Sequence, residues 1–460
     1  MKHGLIFLVF VPLLAAAQGD AADPQRPNVI LFLIDDMGWT DLGCFGSDLY
    51  QTPQIDRLAA GGIRFTQAYS ACTVCSPTRA AVLTGKYPAR LHLTDWIPGH
   101  VSPKAKLQIP DWTMQLEHSE TTVAEALQKA GYATASIGKW HLCNPRHPGD
   151  HLPKSHGFDV NIGGTQWGQP GSYFFPYGKG KRGVEPLPPG GKPGEYLADR
   201  LTDEALAFID AHREEPFFIY FPHYNVHTPL QGKPEYVESY KKRARPGLRH
   251  QNATYAAMVQ SVDDSVGRVL AHLEKLGIRE RTLIIFTSDN GGLRPEATSN
   301  APLRAGKGSA YEGGVRVPLI IDWPAVAKPG SECRDPVMSI DFLPTILEAA
   351  GAKQETAVDG VSLMTLLRDP TDKLSREALY WHYPHYHPGG ATPYGAIRQG
   401  DFRLVEFYED MHVELYNLRD DIGEQHDLAA TMPERAAQLR DHLHAWRAKV
   451  GAQMPTASSK

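Results

Sequence analysis

Five cysteines in 460 residues are too few to staple a fold together, and the odd count leaves at least one thiol without an intramolecular partner. Positive charge is not in excess either. The 47 Lys and Arg face 52 Asp and Glu for a net charge of −5, which argues against a surface built to neutralise a nucleic-acid backbone. Beyond the N-terminal segment, no apolar run approaches the ~20 residues that a membrane-spanning helix needs. With 42% hydrophobic and 22% charged residues the chain lacks the polar bias of disorder and the periodic bias of collagen or a coiled coil, and it shows no internal repeat. What remains is a globular enzyme-like chain, long enough for one large domain with a smaller companion or for two comparable ones.

The N-terminus is the exception in hydropathy. A basic start at Lys2 precedes an apolar run from Leu5 to Leu14, and Ala15 and Ala17 then stand in the small-residue spacing of a leader cleavage site. Residues 1–17 are therefore expected to be a signal peptide, too short in its apolar part to span a bilayer, which makes the mature protein secreted or periplasmic.

From Pro27 onward, short β-branched apolar runs alternate with amphipathic helical stretches, the pattern of an α/β sheet with helices on both faces. Strands are expected at 28–34, 63–69, 132–137, 216–221, 281–287 and 315–321. Helical periodicity marks 52–60, 121–130, 196–212, 255–276 and 339–350. The Gly- and Pro-rich stretch 168–194 reads as a long surface loop, and the polar stretch 353–375 as an inter-domain connection. Alternating residues over 394–416 and an amphipathic helix over 433–450 point to a C-terminal antiparallel sheet with a covering helix. The expected division is 24–370 for the catalytic domain and 371–460 for an α+β subdomain.

Four of the apolar strands run out into polar clusters: Asp35-Asp36, Lys139-Trp140-His141, His223 to His227, and Asp289-Asn290. Open α/β sheets bind ligands beyond the carboxyl ends of their strands, so these clusters are expected to share one pocket. Asp35, Asp36, Asp289 and Asn290 offer oxygen ligands without a His or Cys set in zinc spacing, which selects a hard cation. Pro77 and the helix-forming stretch 78–83 place Cys75 at a helix N-cap, where the helix dipole favours an anion.

The most specific motif is Cys75-Ser-Pro77-Thr-Arg79, followed by Leu83-Thr84-Gly85-Lys86. Here the chain resembles the formylglycine-dependent type I sulfatases of the alkaline-phosphatase-like superfamily, with Lys86 standing where that family usually has Arg. The resemblance implies a large mixed sheet flanked by helices on both faces, with the smaller C-terminal subdomain. It also implies that a formylglycine-generating maturation enzyme converts Cys75 to formylglycine (3-oxoalanine), and that one Ca2+ per chain is held by Asp35, Asp36, Asp289, Asn290 and the modified side chain of Cys75. By the same resemblance, Arg79 fixes the formylglycine hydroxyl, and Lys139 and Lys307 hold sulfate oxygens. His141 then serves the formylglycine hydrate, and His227 gives a proton to the leaving alcohol. The implied reaction is sulfate ester hydrolysis through a covalent sulfo-enzyme from which the second hydroxyl expels sulfate.

The group that carries the sulfate is chosen by less constrained residues. Candidates are His92, Trp96, His100, His223 and Arg304, with His382 and His385 in the aromatic and His-rich stretch 380–387. Aromatic faces with His and Arg donors suit sugar rings, so a sulfated saccharide is expected, with an aryl sulfate as the other substrate class. Two alternatives stay open at this point: a phosphonate or phosphodiester hydrolase of the same superfamily, and a glycan-binding protein whose Cys75 is never oxidised.

Overall fold

The computed structural model describes Met1 and residues 26–458, apart from 104, 147, 179–181 and 294–296. The leader expected over 1–17 thus falls, beyond Met1, outside the described residues. No helix among the described residues is long and apolar enough to cross a membrane.

Strand β1, Asn28–Ile34, is apolar at nearly every position because both of its faces are covered, and all seven residues are buried. It lies inside an eight-stranded sheet. The other strands are β2 Ile63–Phe65, β3 Ala133–Ile137, β4 Val160–Ile162, β5 Phe217–Pro222, β6 Thr282–Ser288, β7 Leu319–Asp322 and β8 Ser331–Cys333. Their order is β8-β2-β7-β6-β1-β5-β3-β4. β6, β1, β5, β3 and β4 run parallel, whereas β7 is antiparallel to both β6 and β2. The sheet is therefore mixed, and the carboxyl ends of β1, β3, β5 and β6 open along one edge.

Period-two alternation divides β1 between two cores. Ile30, Phe32 and Ile34 pack with helices α1 (Pro53–Gly61), α4 (Leu197–Ala211) and α5 (Ala253–Lys275) on one face. Val29, Leu31 and Leu33 pack with α2 (Cys75–Thr84), α3 (Val123–Lys129) and α6 (Phe342–Ala350) on the other. Helix α3 starts at a reciprocal cap: Thr122 Oγ1 accepts from Glu125 N–H, and the Glu125 carboxylate accepts from Thr122 N–H.

A second sheet, antiparallel and in sequence order, is built from β9 Leu379–Tyr383, β10 Tyr394–Gln399, β11 Phe402–Phe407 and β12 Val413–Asn417. Helix α7, Pro433–Val450, covers it through Leu439 and Leu443. In the same apolar cluster Trp381, Tyr394 and Leu404 meet Tyr69, Ala71 and Val74, so this sheet braces the segment that leads into α2.

Several local expectations change. The strand expected at 63–69 is split into β2 and a two-residue strand, Ala68–Tyr69, that pairs with Val337–Met338 in a separate ladder. The one expected at 315–321 starts only at Leu319, after a helical turn, Glu312–Val315. Residues 353–375 do more than connect, because Leu363, Met364, Leu366 and Leu367 are buried in the core against α6. In the 168–194 loop Tyr173 and Tyr177 are also core, and Tyr173 OH donates to the carbonyls of Tyr224 and His227.

Candidate active site

Helix α2 begins where Val74 is still extended, so Val74 is the N-cap and Cys75 is the first helical residue, one position later than a cap. Pro77 is tolerated in that first turn, where its missing N–H has no intrahelical acceptor to lose. All ten residues of α2 are buried. Cys75 is thereby presented at the base of a cavity of about 530 Å³, whose wall also carries Asp36, His141, His227 and Lys307.

Cys75 Sγ lies 3.4 Å from His141 Nδ1, and the other ring nitrogen of His141 meets the Ile97 carbonyl at 2.5 Å. His141 sits at φ 59°, just past the end of β3, and its N–H donates to Thr165 O. Burial, and then the charge of Lys139, hold its imidazole well below the usual range, so the ring is neutral.

The acidic cluster comes from the ends of β1 and β6. Arg79, fully buried, donates through Nε and Nη2 to Asp289 Oδ2 at 3.0 and 2.7 Å, and through Nη1 to Lys139 O at 3.0 Å. Lys139 Nζ lies 2.7 Å from Asp35 Oδ2, and Lys307 Nζ 2.6 Å from Asp36 Oδ1. Asn290 Nδ2 donates to Asp36 Oδ1 at 2.8 Å. Burial raises Asp35 well above an ordinary carboxyl, an effect that Lys139 opposes and that Asp289 and Asp36 reinforce. Asp36 is instead held below the usual range, because Lys307, His227 and Lys139 outweigh its burial.

Two buried oxygens in this cluster, Asp35 Oδ1 and Asn290 Oδ1, have no hydrogen-bond partner. Buried acceptors are ordinarily satisfied, so an unbonded carboxylate oxygen beside an unbonded amide oxygen is what a hard cation would complete. Asp35, Asp36 and His227 each also bring one ligand-type atom within 4.8 Å of the others. The donor set fits calcium. Three carboxylates (Asp35, Asp36, Asp289) face three cations (Arg79, Lys139, Lys307), so a dication leaves the pocket positive and ready for an anion.

His227 Nε2 lies 3.5 Å from Asp36 Oδ2, and its Nδ1 lies 3.0 Å from the Thr228 carbonyl. Since a carbonyl only accepts, Nδ1 carries the proton of the neutral ring. Burial lowers this imidazole to about 3, and the attraction of Asp36 only partly offsets that.

The substrate-side candidates separate. Trp96 lines the cavity. His100 is not among the lining residues, although it lies near His387, which is. His223 does not reach the cavity: it is buried behind the sheet, stacked 4.3 Å from Phe221 and bonded to Ser265 Oγ. Arg304 is turned away onto Tyr311, with Nη1 on Tyr416 OH and Glu424 O. His92 reaches Gly451 O, His382 bonds Tyr408 OH and Gln453 O, and His385 bonds Thr94 Oγ1, so none of these three lines the cavity. Instead His387, from the same His-rich stretch, joins Trp167, Gln169 and Arg182 at the rim. The signal for His387 was its neighbourhood: within 380–387 it lies nearest Pro388-Gly389-Gly390, where the chain leaves the strand for the loop that faces the pocket.

The chain matches the family model described as Sulfatase over residues 27–352, and the model of the N-sulphoglucosamine sulphohydrolase C-terminal region over residues 306–449. It is 33% identical to a sulfatase of Formosa agariphila, an alignment that takes in 98% of this chain and 94% of that protein. Mouse N-acetylgalactosamine-6-sulfatase is 35% identical over 79% of this chain and 70% of its own length. Among solved structures, that of Ps i-CgsB superposes with a TM-score of 0.78 at 31% identity, covering 92% of this chain and 93% of that one. Ps i-CgsB has also been solved in complex with k-i-k-neocarrahexaose.

Proposed function

The chain belongs to the sulfatase family and is a hydrolase of sulfuric esters; from that premise we propose that it removes sulfate from a sulfated saccharide. The observation that carries the proposal is the meeting of Cys75, His141, His227, Lys307 and Asp36 on one cavity whose rim is Trp96, Trp167 and His387. Aromatic faces beside ring donors suit a sugar; the mouse relative is named an N-acetylgalactosamine-6-sulfatase, and Ps i-CgsB binds k-i-k-neocarrahexaose.

Asp35, Asp36, Asp289 and Asn290 would hold calcium together with the modified side chain of Cys75. Calcium supplies positive charge for the ester oxygens, and formylglycine, as its hydrate, supplies the nucleophilic hydroxyl and a second one that lets sulfate leave. The other parts belong to unmodified residues. Lys139 and Lys307 neutralise non-bridging sulfate oxygens as charge builds on them. His141, whose Nδ1 faces position 75, moves the proton there. His227 is neutral in the free site; a sulfate anion beside it favours the imidazolium, which then has a proton on Nε2 to give to the leaving alcohol. Arg79 keeps Asp289 and the Lys139 carbonyl in place.

The N-terminal leader pattern supports export to a secreted or periplasmic location, and maturation of Cys75 calls for a formylglycine-generating enzyme as partner. Residues 371–460 form the proposed subdomain that brings His387 to the rim. The test is sulfate release from a panel of sulfated mono- and oligosaccharides against aryl sulfates, together with mass spectrometry of the peptide around Cys75. Turnover confined to aryl esters rejects the saccharide assignment, and brisk turnover by a chain with an intact Cys75 thiol rejects the formylglycine chemistry.

A further inference from the structure

We propose that His118, His151 and His156 form a second metal site, for a divalent transition ion of the zinc class, behind the loop that carries Lys139 and His141. One nitrogen from each of the three imidazoles lies within 4.8 Å of the others. His156 is fully buried, yet neither of its ring nitrogens has a hydrogen-bond partner. Ring packing alone accounts for the contacts of the three rings but leaves both of those nitrogens unbonded, an expensive arrangement for a buried polar group.

His151 shows the outer-shell bond that metal-bound histidines use. Its Nδ1 lies 2.8 Å from the Leu116 carbonyl, so Nδ1 bears the hydrogen and Nε2 is left with a free lone pair. His118 is exposed and stacks on both partners, with centroids 4.4 Å from His151 and 4.9 Å from His156. Tetrahedral zinc holds its nitrogen ligands at about 2.0–2.1 Å, hence about 3.3–3.4 Å from one another. The exposed His118 ring can turn out of its stack toward the two buried imidazoles, which must close by a small further adjustment, and the fourth position would go to water. Three imidazoles with no carboxylate among them select zinc, copper or nickel over calcium or magnesium.

The site is tied to the catalytic side of the sheet. Trp140, between Lys139 and His141, donates its indole N–H to the His151 carbonyl at 2.7 Å and lies 5.6 Å from the His156 ring. Leu116, which accepts from His151, donates its own N–H to Leu142 O at 2.9 Å. An ion held here therefore stiffens the segment that positions Lys139 and His141 without touching substrate.

The experiment uses the mature full chain, stripped of transition metals and kept in millimolar calcium so that the oxygen-lined site is filled. Zinc chloride is then titrated by calorimetry, and cobalt(II) by visible absorption. The expected result is one equivalent of zinc, a four-coordinate cobalt spectrum, and a Tm that rises by about 3 °C at hundredfold excess over Kd. His118→Ala, a change at an exposed ring, and His151→Gln, which keeps a donor for Leu116 O, should each weaken zinc binding on the order of tenfold or more. Zinc-free sulfatase activity of His118→Ala should equal that of the wild type. Absence of zinc binding by the wild type, or wild-type affinity in both variants, overturns the proposal.

Discussion

Arg79 grips one oxygen of Asp289 with two nitrogens, Nε at 3.0 Å and Nη2 at 2.7 Å, while the other Asp289 oxygen accepts from Asp36 N–H at 3.2 Å. A helix residue thus sets the orientation of a carboxylate contributed by a strand, and both side chains are fully buried. Arg79→Ala leaves that carboxylate without its partner, a loss of about 3–5 kcal/mol. Arg79→Lys keeps the charge but loses the two-pronged grip and the bond to Lys139 O, so it should fall between the alanine variant and the wild type in urea unfolding and lose most sulfate release. Wild-type stability in Arg79→Ala would count against this role.

Calcium should matter to stability as well as to turnover, because Asp35 Oδ1 and Asn290 Oδ1 are buried without partners. Treatment with a calcium chelator should lower both Tm and sulfate release, and added calcium should restore both. Magnesium should restore less, since it demands regular octahedral geometry that an irregular protein ligand set does not offer. Asn290→Ala should raise the calcium concentration needed for recovery, measured by the midpoint of a Tm titration; an unshifted midpoint excludes Asn290 as a ligand.

His227→Ala removes the proton donor proposed for the leaving alcohol. With a sugar sulfate, whose alkoxide is a poor leaving group, kcat should drop by about 10²–10⁴. With 4-nitrophenyl sulfate the phenolate leaves unaided and the drop should be much smaller. Comparable losses on the two substrates would assign His227 to sulfate binding instead.

The central sheet was legible because β1, β5 and β6 are buried on both faces and therefore carry continuous apolar runs along their middles, and each ends in a polar cluster. The acidic and basic residues of those clusters do converge. Reach was not legible: His223 and His227 are four residues apart after one strand, but only His227 faces the cavity, the backbone between them turning so that His223 packs on Phe221. In the same way His382 and His385 read as rim residues by composition, but they are consumed by bonds to Tyr408 and Thr94. Such side-chain direction depends on contacts between segments distant in sequence. The burial of Leu363, Met364, Leu366 and Leu367 was not legible for a related reason, the five-residue helix Met364–Arg368 being too short to show its period.

Stability should carry a titration from Asp263 in α5. Its carboxyl accepts from Gln54 and Ile55 N–H at the start of α1, at 3.0 and 2.8 Å, but burial outweighs these bonds and pushes it up to about 7. The unfolded chain releases that proton near 3.9, so the folded state holds it over a wider range. The resulting stabilisation is complete below about pH 4 and is lost as pH rises through about 7. Asp263→Asn cannot titrate. Thermal unfolding at about pH 5 and pH 8 should therefore show the wild type losing stability relative to the variant, and parallel profiles would reject the shift.

His387 is expected to decide affinity for the sugar and not the chemistry at sulfur. Gly389 N–H donates to its Nδ1 at 2.9 Å, so the neutral ring carries its hydrogen on Nε2, and burial with the charge of Lys307 keeps it neutral, at about 4. His387→Ala should raise KM for a saccharide sulfate by roughly tenfold, the worth of one hydrogen bond, and leave 4-nitrophenyl sulfate nearly unaffected. Gly308 offers an independent route to the same effect. At φ +75° it already sits where side chains are strained, and a Cβ there would fall 2.0 Å from His387 Nδ1. Gly308→Ala should therefore displace the ring and raise the saccharide KM as well, along with any cost it imposes on neighbouring Lys307. Because the clash vanishes once the imidazole is gone, adding Gly308→Ala to His387→Ala should raise KM less than the sum of the separate effects. Strict additivity in that cycle would mean that position 308 acts through Lys307 alone, and an unchanged saccharide KM in His387→Ala would mean that His387 does not reach the bound sugar.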